Sequence, residues 1–293
     1  MEQNHYRVKL DDVEFQLQEA HNFDWLQKLG RVFSVFDQQD SGNICFGVES
    51  SSGEKLFIKY AGARTLYYSG QTHDAIHRLK DAVHLYDKLS YPSLIKMIDH
   101  FEVESGFGYA VVFEWFAGET LHPHWSFPPP AKYNDPASPY YRYKQLSVKQ
   151  RLQSLDRIFS FHLYVENMGY VAVDFYDGSL LYDFKNNEIK VCDIDVYQKK
   201  PFINDMGRLW GSSRFMSPEE FIKGAQIDER TNVYNMGAMA FALVGGELDR
   251  SFTKWEAGKE LYEVSLTAIK SERELRYSSI TEFKAAWDSA IQY

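Results

Sequence analysis

The chain is poor in several kinds of residue, and each shortage excludes a class of protein. Its two cysteines, Cys45 and Cys192, each lie inside an apolar run, so we expect core residues and not a disulfide or metal framework. Lys and Arg number 32 against 41 Asp and Glu, a formal net charge of -9, whereas nucleic acids and anionic membranes attract positive proteins. No apolar run approaches the roughly 18 residues of a membrane span, and MEQNHYRVKLDD at the start lacks the apolar segment of a signal peptide. We therefore expect a cytoplasmic protein that binds neither nucleic acid nor membrane.

The first part of the chain contains short runs of β-branched and aromatic residues. Polar or glycine-containing turns separate them, as in a meandering antiparallel sheet. The runs are VFSVF (32–36), NICFGV (43–48), KLFIKY (55–60) and YAVVF (109–113). Between the last two, apolar residues recur at intervals of three and four, which predicts a helix with one buried stripe. These residues are Ile76, Leu79, Val83 and Tyr86.

The second part of the chain has mostly helical patterns. Residues 148–167 carry apolar side chains at helical spacing after Ser147, a favourable N-cap residue. Residues 233–244 are apolar nearly all round, which predicts a helix buried in the middle of this part. The sequence therefore predicts an α+β protein in which a sheet-rich first part precedes a larger, mainly helical part.

Most of the prolines lie among aromatic residues between 120 and 146. This composition predicts a surface loop or insertion and not a core element. Two interpretations of its aromatic side chains are open: they pack against one another, or they wall a pocket for a small molecule. The aromatic residues in question are Trp125, Tyr133, Tyr140 and Tyr141.

Two carboxylates bracket a predicted hairpin in the stretch 170–195. Its strands, SLLYDF and EIKVC, are joined through the polar residues 185–187, so the chain enters and leaves at the same end. Asp174 and Asp193 are therefore expected to lie close together. Such carboxylates can hold Mg²⁺ and orient a hydroxyl, although acids beside strand ends are also common as solvated turn residues.

The order of these elements resembles that of the eukaryotic-type protein kinases over roughly residues 32 to 285. The third strand contains FIK (57–59), which is similar to the V-A-I-K of that family. GSSRFMSPEEF (211–221) matches the G-T-x-x-Y-M-A-P-E end of the family's activation segment in residue type and spacing. The resemblance implies a bilobal kinase-like fold. Its implied parts are an N-terminal extension (1–31), a sheet-rich N-lobe (32–116), and a mainly helical C-lobe (117–293) with an insert near 120–146.

The resemblance also implies roles for single residues in phosphoryl transfer from ATP. Asp174 is the counterpart of the catalytic base, and Asp193 is the counterpart of the ligand that holds Mg²⁺ against the phosphates. Lys59 would contact the α- and β-phosphates. Ser179 would be the second metal ligand, and Gly42 the last glycine of the nucleotide loop. Phe113 would be the gatekeeper, and the backbone of Glu114 and Phe116 would contact adenine. In the activation segment, Ser212 would lie near the catalytic loop and Glu219 would pair with Arg276.

The departures from the family pattern cluster at the phosphates. The glycine-rich loop reads DQQDSG (37–42), so two acids stand where backbone approaches phosphate. H-R-D reads AVD (172–174), without the arginine that receives a phosphorylated loop, so activation by loop phosphorylation is not expected. The helix acid that pairs with the lysine falls at Ala82, and Asp81 lies one residue out of register. We leave open whether Asp81 or no acid is the partner.

Further departures lie beside the two carboxylates. Tyr176 replaces a lysine, and Ser179 replaces the asparagine of the second metal. D-F-G reads DID (193–195), a variation that looks like aminoglycoside phosphotransferases and related small-molecule kinases. Asp177 is available as a substitute metal ligand, but as a loop acid it is expected to be solvated.

Three functions are therefore open, with ATP and a protein or small-molecule acceptor as implied partners. The first is a divergent phosphotransferase that moves the γ-phosphate of ATP to a protein Ser/Thr hydroxyl, which the matched activation segment favours. The second is a pseudokinase scaffold, which the altered nucleotide loop and the missing asparagine favour. The third is a small-molecule kinase, which the acid at 195 and the aromatic insert favour.

Overall fold

The computed structural model describes residues 5–103 and 107–291. Residues 1–4 and 292–293, at the ends of the predicted extension and C-lobe, lie outside the described residues. The chain divides into two compact units. The first comprises Met1–Ser90 and Ile95–Phe116, and the second comprises Tyr91–Leu94 and Ala117–Tyr293.

An antiparallel sheet forms the centre of the first unit. The elements of this unit are β1 (Tyr6–Leu10), β2 (Val13–Leu17), β3 (Arg31–Phe36), β4 (Asn43–Glu49), β5 (Lys55–Ala61), α1 (Thr72–Lys88), β6 (Met97–Val103) and β7 (Gly108–Glu114). Strands β3 to β7 pair in the order β3-β4-β5-β7-β6, which puts β5 in the middle. The strands predicted at β3, β4, β5 and β7 are confirmed. The predicted helix is confirmed as α1, and its four stripe residues are buried.

The sequence pattern does not predict β6, the strand at the edge of the sheet beside β7. Most of its residues are exposed or half-buried, and they include Asp99, His100 and Glu102. A strand with little buried surface has no alternating apolar face, so the period-two pattern that marks a strand is absent.

The N-terminal extension contributes to the core of the first unit. Every second residue of β2 is buried. Phe15 packs edge-on against Phe46 of β4 with ring centroids 5.9 Å apart, and Trp25 lies 4.9 Å from the ring of Tyr60 in β5. Burying a side chain of this kind stabilises a protein by about 1.5–3 kcal/mol. The extension is therefore integral to the stability of this unit.

The second unit is mainly helical. Its elements are β8 (Glu119–Thr120), α2 (Ala131–Asn134), α3 (Pro139–Lys144), α4 (Val148–Asn167), β9 (Tyr170–Val171), β10 (Leu180–Asp183), β11 (Glu188–Val191), β12 (Gln198–Lys199), β13 (Phe202–Ile203), β14 (Gln226–Ile227), α5 (Glu229–Val244), α6 (Lys259–Ala268) and α7 (Ile280–Ala290). The strands are short, and β8 joins β10 and β11 while β9 pairs with β12 and β13 with β14. The prediction of an α+β protein with a sheet-rich first part and later helices is confirmed.

N-cap residues determine where two helices of the second unit begin. Ser147 caps α4 in a capping box, in which the Gln150 amide donates to Ser147 Oγ at 3.3 Å and the Ser147 amide donates to Gln150 Oε1 at 3.2 Å. Asp228 caps α5 and accepts from the Arg230 amide at 3.0 Å, so this helix begins before the apolar stretch. From Thr231 onward every residue of α5 is buried, which confirms the prediction of a central buried helix.

The prediction of a surface loop at 120–146 is wrong. This insert contains α2 and α3, and the side chains of Lys132 and Tyr143 are completely buried. Tyr140 is buried as well, and its hydroxyl donates to the carbonyl of Ala242 in α5 at 2.6 Å. Helices as short as α2 and α3 do not develop a visible 3.6-residue period, so the composition alone suggested a loop.

Neither Cys45 nor Cys192 forms a disulfide; Cys45 is buried as predicted, whereas Cys192 is only half-buried. None of the helices within the described ranges is long and apolar enough to cross a membrane.

Candidate functional site

The hairpin between the two acids is confirmed, because β10 and β11 pair antiparallel. Pairing continues beyond the strands, where the Cys192 amide donates to the Ser179 carbonyl at 2.9 Å. Ser179 Oγ lies 3.5 Å from the Asp174 carbonyl oxygen, at the limit of a hydrogen bond. The backbone thus holds the segments that carry Asp174 and Asp193 side by side.

Asp174 has a left-handed backbone conformation, with φ at 63°. Aspartate and asparagine are among the few residues with a side chain that adopt it readily. Gly211 lies beside it, because a Cβ built on this glycine would be 3.5 Å from the Asp174 Cα. The segment that contains Ser212 therefore contacts the loop of Asp174, where the resemblance places it.

Apolar packing supports the same contact. Val171 and Val173, on either side of Ala172, share a buried cluster with Leu209 and Met216. The loop that leads into Asp174 and the segment around Gly211 thus belong to one small core.

Asn232 anchors this loop, although the sequence pattern does not single it out. It is completely buried in α5. Its Oδ1 accepts from the Ala172 amide at 2.9 Å, and its Nδ2 donates to the Tyr170 carbonyl at 3.1 Å. The available signal is a polar side chain in a helix that is otherwise apolar all round, since a buried amide requires partners.

Two tyrosines lie close to both carboxylates. Burial raises the pKa of Tyr176, and the negative charges of Asp174 and Asp193 raise it further. Burial also raises the pKa of Tyr197 well above its usual value, and the charges of Asp193 and Asp174 contribute to the increase. Both phenols stay protonated at neutral pH, so they can donate hydrogen bonds but carry no charge.

The oxygen atoms around the two acids are suited to a partial Mg²⁺ site. Ser179 is 1% exposed, and its hydroxyl faces the loop of Asp174. Within residues 5–103 and 107–291, no group of three or more His, Cys, Asp and Glu side chains could hold a metal ion. Mg²⁺ commonly takes one or two carboxylates and completes its shell with substrate phosphates and water. Asp193 offers one such carboxylate, and Ser179, whose carbonyl accepts from the neighbouring Cys192 amide, offers a hydroxyl.

The prediction that Asp177 is solvated is wrong. Its buried carboxylate lies 2.6 Å from Lys132 Nζ and contacts Arg214 in bidentate fashion at 2.8 and 3.0 Å. Burial alone would raise the pKa of Asp177. A hydrogen bond from His122 and the charges of Lys132 and Arg214 outweigh burial and hold this pKa far below its usual range. Because its oxygens already bind two cations, Asp177 is not suited to act as a substitute metal ligand.

Asp177 belongs to a buried ionic cluster of four residues: Lys132, Asp177, Arg214 and Glu247. Lys132 Nζ lies 2.9 Å from Glu247 Oε1, and Arg214 also pairs with Glu247. The Tyr133 hydroxyl donates to the same carboxylate at 2.8 Å. The two cations and two anions come from the insert, the loop after Asp174, the segment 211–221 and the turn after α5. The resemblance implies that the segment 211–221 lies near the loop of Asp174, but nothing in the sequence pattern predicts that the insert and the turn after α5 meet them.

Glu219 and Arg276 form the ion pair that the resemblance implies. The guanidinium donates to both carboxylate oxygens, at 2.7 and 2.9 Å, across 57 positions of the chain. The Thr231 hydroxyl donates to the same carboxylate at 2.9 Å. Glu219 and Arg276 are both buried, and the predicted pairing is confirmed.

Lys59 lies in the middle of the sheet of the first unit. It stands on β5, opposite Cys45 of β4 and Val111 of β7, and is only 7% exposed. A lysine this buried is not an ordinary surface residue at a strand edge. On α1, Ala82 is buried and Asp81 is exposed.

The loop 37–42 packs onto its own unit. Gly42 has φ at 82°, and a Cβ there would lie 2.7 Å from the ring of Tyr68. Arg78 of α1 donates to the Ser41 carbonyl at 2.8 Å and to the Tyr68 hydroxyl at 3.0 Å. Asp40 is exposed to solvent. Packing against Tyr68 therefore explains why a glycine stands at 42.

The residues expected to contact adenine lie at the end of β7. Phe113 is buried and packs edge-on against Tyr86 of α1, with ring centroids 4.9 Å apart. The Glu114 amide donates to the Lys96 carbonyl at 2.9 Å, and its carboxylate pairs with Lys96 Nζ at 2.6 Å. Phe116 is half-buried.

The expected site residues fall into two groups. Asp174, Ser179 and Asp193 are brought together in the second unit. The others belong to the first unit: Gly42, Lys59, Glu114 and Phe116. A search against known protein-family models finds none that matches this chain. The functional assignment therefore rests on the residues and their geometry.

Proposed function

We propose that the chain is a divergent protein-kinase-like phosphotransferase, which moves the γ-phosphate of ATP to a serine or threonine hydroxyl of a protein. In this proposal the two units are the N-lobe and C-lobe of a bilobal kinase-like fold. The observation that carries the proposal is the bidentate pair between Glu219 and Arg276. Composition and periodicity do not predict this contact, whereas the resemblance to the kinases does.

The carboxylates at the end of the hairpin support the chemistry. Asp174 accepts the proton of the attacking hydroxyl, whose oxygen bonds to the γ-phosphorus while the bond to the bridging oxygen of ADP breaks. Lys59 supplies a fixed positive charge to the α- and β-phosphates. Mg²⁺ would neutralise charge on the phosphates, and Asp193 and Ser179 are the residues that would hold it.

The ionic cluster supports an activation segment that is ordered without phosphorylation. Arg214 lies in the segment that, in the kinases, receives the acceptor peptide. Its bidentate contact with Asp177 ties this segment to the loop of Asp174. Paired charges inside a protein hold their partners firmly, because separating them leaves a buried charge uncompensated.

The nucleotide loop favours a second candidate function, a pseudokinase that binds a protein partner without transferring phosphate. Gly42 is accounted for by its packing against Tyr68, and Arg78 holds the Ser41 carbonyl. These contacts explain the loop without a nucleotide. The argument for a small-molecule kinase is weakened at one residue, because Tyr140 of the insert is a core residue and not a pocket wall. Trp125 and Tyr133 of the same insert are exposed.

Calorimetric titration of ATP into the protein, with and without Mg²⁺, separates these candidates. We expect binding that depends on Mg²⁺ and that is lost in Asp193→Ala. Asp205→Ala, which removes an exposed acid of the second unit, is the matched control and should bind as the unaltered protein does. Absence of ATP binding in both conditions would contradict the phosphotransferase and favour the pseudokinase. Equal binding of ATP with and without Mg²⁺ would contradict the role of Asp193 as a Mg²⁺ ligand.

A further inference from the structure

A buried hydrogen bond joins helix α4 to the segment that follows Asp193. His162 of α4 is completely buried, and its Nδ1 lies 2.8 Å from the Ile158 carbonyl. Its Nε2 lies 2.9 Å from the hydroxyl of Tyr197. A carbonyl can only accept, so Nδ1 carries the hydrogen and the Nε2 of the neutral ring accepts from Tyr197. Burial lowers the pKa of His162 to about 4, which keeps the ring neutral at neutral pH.

The same imidazole contacts the segment of the other acid. Its centroid lies 4.1 Å from that of the Phe175 ring, and Phe175 is the buried residue directly after Asp174. Tyr197 closes a turn through its amide, which donates to the Ile194 carbonyl at 3.1 Å, directly after Asp193. One side chain of α4 thus contacts both segments that carry the acids.

The loop before Asp174 has no imidazole of its own, since Ala172 stands where the kinases have a histidine. We propose that His162 and Tyr197 are positioning residues that fix the Asp174 and Asp193 segments relative to each other. His162 orients the first segment through Phe175 and the second through the Tyr197 hydroxyl. The inference rests on the proposed function, which gives the two carboxylates their roles.

Ordinary core packing makes a different prediction from positioning. If His162 only fills space, a phenylalanine of similar shape should replace it with little loss of activity. Removal of the Tyr197 hydroxyl should then raise hydrogen exchange only near residue 197. If the pair sets the spacing of the two segments, loss of the hydroxyl also loosens the segment around Asp174, although the hydrogen bond of this hydroxyl goes to His162.

The test uses Tyr197→Phe, His162→Phe, their double variant and His162→Gln, which keeps an acceptor. Tyr170→Phe is the matched control, because Tyr170 is a buried tyrosine of the same unit whose hydroxyl has no hydrogen-bond partner among the described residues. Hydrogen exchange of the intact protein is followed at the amides of 172–179 and 192–197. Phosphoryl transfer from ATP to the protein itself gives kcat and KM.

We expect the hydrogen-exchange rate in Tyr197→Phe to rise about tenfold in both segments, because one hydrogen bond contributes about this factor to an equilibrium. The kcat should fall by a similar factor, while KM for ATP stays constant. His162→Phe should have the same effect, the double variant should add little, and His162→Gln should recover part of the loss. Tyr170→Phe should leave both readouts unchanged.

An increase in hydrogen exchange confined to 192–197, or additive effects in the double variant, would overturn the inference whether or not the protein binds ATP. If the unaltered protein binds no ATP while Tyr197→Phe loosens both segments, the proposed function fails and the coupling of the segments stands. The two failures are therefore distinguishable.

Discussion

Asp174 and Asp177 lie three residues apart in one loop, but their surroundings are opposite. Asp177 is completely buried, and its carboxylate binds the cations of Lys132 and Arg214. Asp174 is half-buried, in a left-handed conformation, and its charge acts on the phenols of Tyr176 and Tyr197. Asp177 is therefore held in the ionic network of the fold, whereas Asp174 is the acid that the proposed function uses for proton transfer.

Glu220 extends the comparison, because it is as buried as Asp177 but has different donors. Its carboxylate accepts from the Ser217 amide at 2.6 Å and the Ser217 hydroxyl at 2.9 Å, neither of which is charged. Burial raises the pKa of Glu220 to about 7, whereas the cations lower the pKa of Asp177. The nature of the partners, and not burial, thus decides the charge state of a carboxylate in this unit.

The largest effect is expected from Asp174→Asn. Asparagine also adopts the left-handed conformation, so the fold and the melting temperature should be unchanged. Phosphoryl transfer from ATP should fall by about two to four orders of magnitude, because the proton acceptor is lost. Autophosphorylation with radiolabelled ATP measures this, with Asp205→Asn as control. Normal phosphoryl transfer by Asp174→Asn would contradict the role of Asp174 as the proton acceptor.

Asp177→Asn should act on stability instead. Lys132 and Arg214 then share the single anion Glu247, and such an uncompensated buried charge costs about 3–5 kcal/mol. Because the folded pKa of Asp177 is lowered, its contribution is complete above the ordinary value of 3.8 and is lost only as the pH falls toward the folded value. Urea unfolding at neutral pH measures the loss. A midpoint equal to that of the unaltered protein would contradict the structural role of the ionic cluster.

Glu220→Gln should produce the smallest change, and one that depends on pH. The folded pKa of about 7 exceeds the ordinary 4.5, so the folded state binds the proton more tightly. The stability of the unaltered protein therefore falls as the pH rises between these values, and glutamine removes this dependence. Relative to the unaltered protein, Glu220→Gln should gain about 2–3 kcal/mol between pH 5 and pH 8. Thermal unfolding at both pH values measures the gain, and a difference independent of pH would contradict the raised pKa.

The sequence alone determined the features whose cause is local. The stripe of α1, the capping box of α4, the apolar α5 and the hairpin between Asp174 and Asp193 follow from spacing within a short stretch of chain. The pair between Glu219 and Arg276 is not local, and it could be predicted only because a resemblance supplied the distant partner.

Only the tertiary structure decided the features that depend on which distant segments meet. The ionic cluster joins four segments, Asn232 reaches the backbone of another element, and His162 contacts a residue 35 positions away. The insert becomes a core element for the same reason, because Lys132 and Tyr140 find partners beyond it. Spacing along a chain shows which face a side chain occupies, but the partner on that face is set by packing, so a buried acid and a solvated acid look alike until the chain is folded.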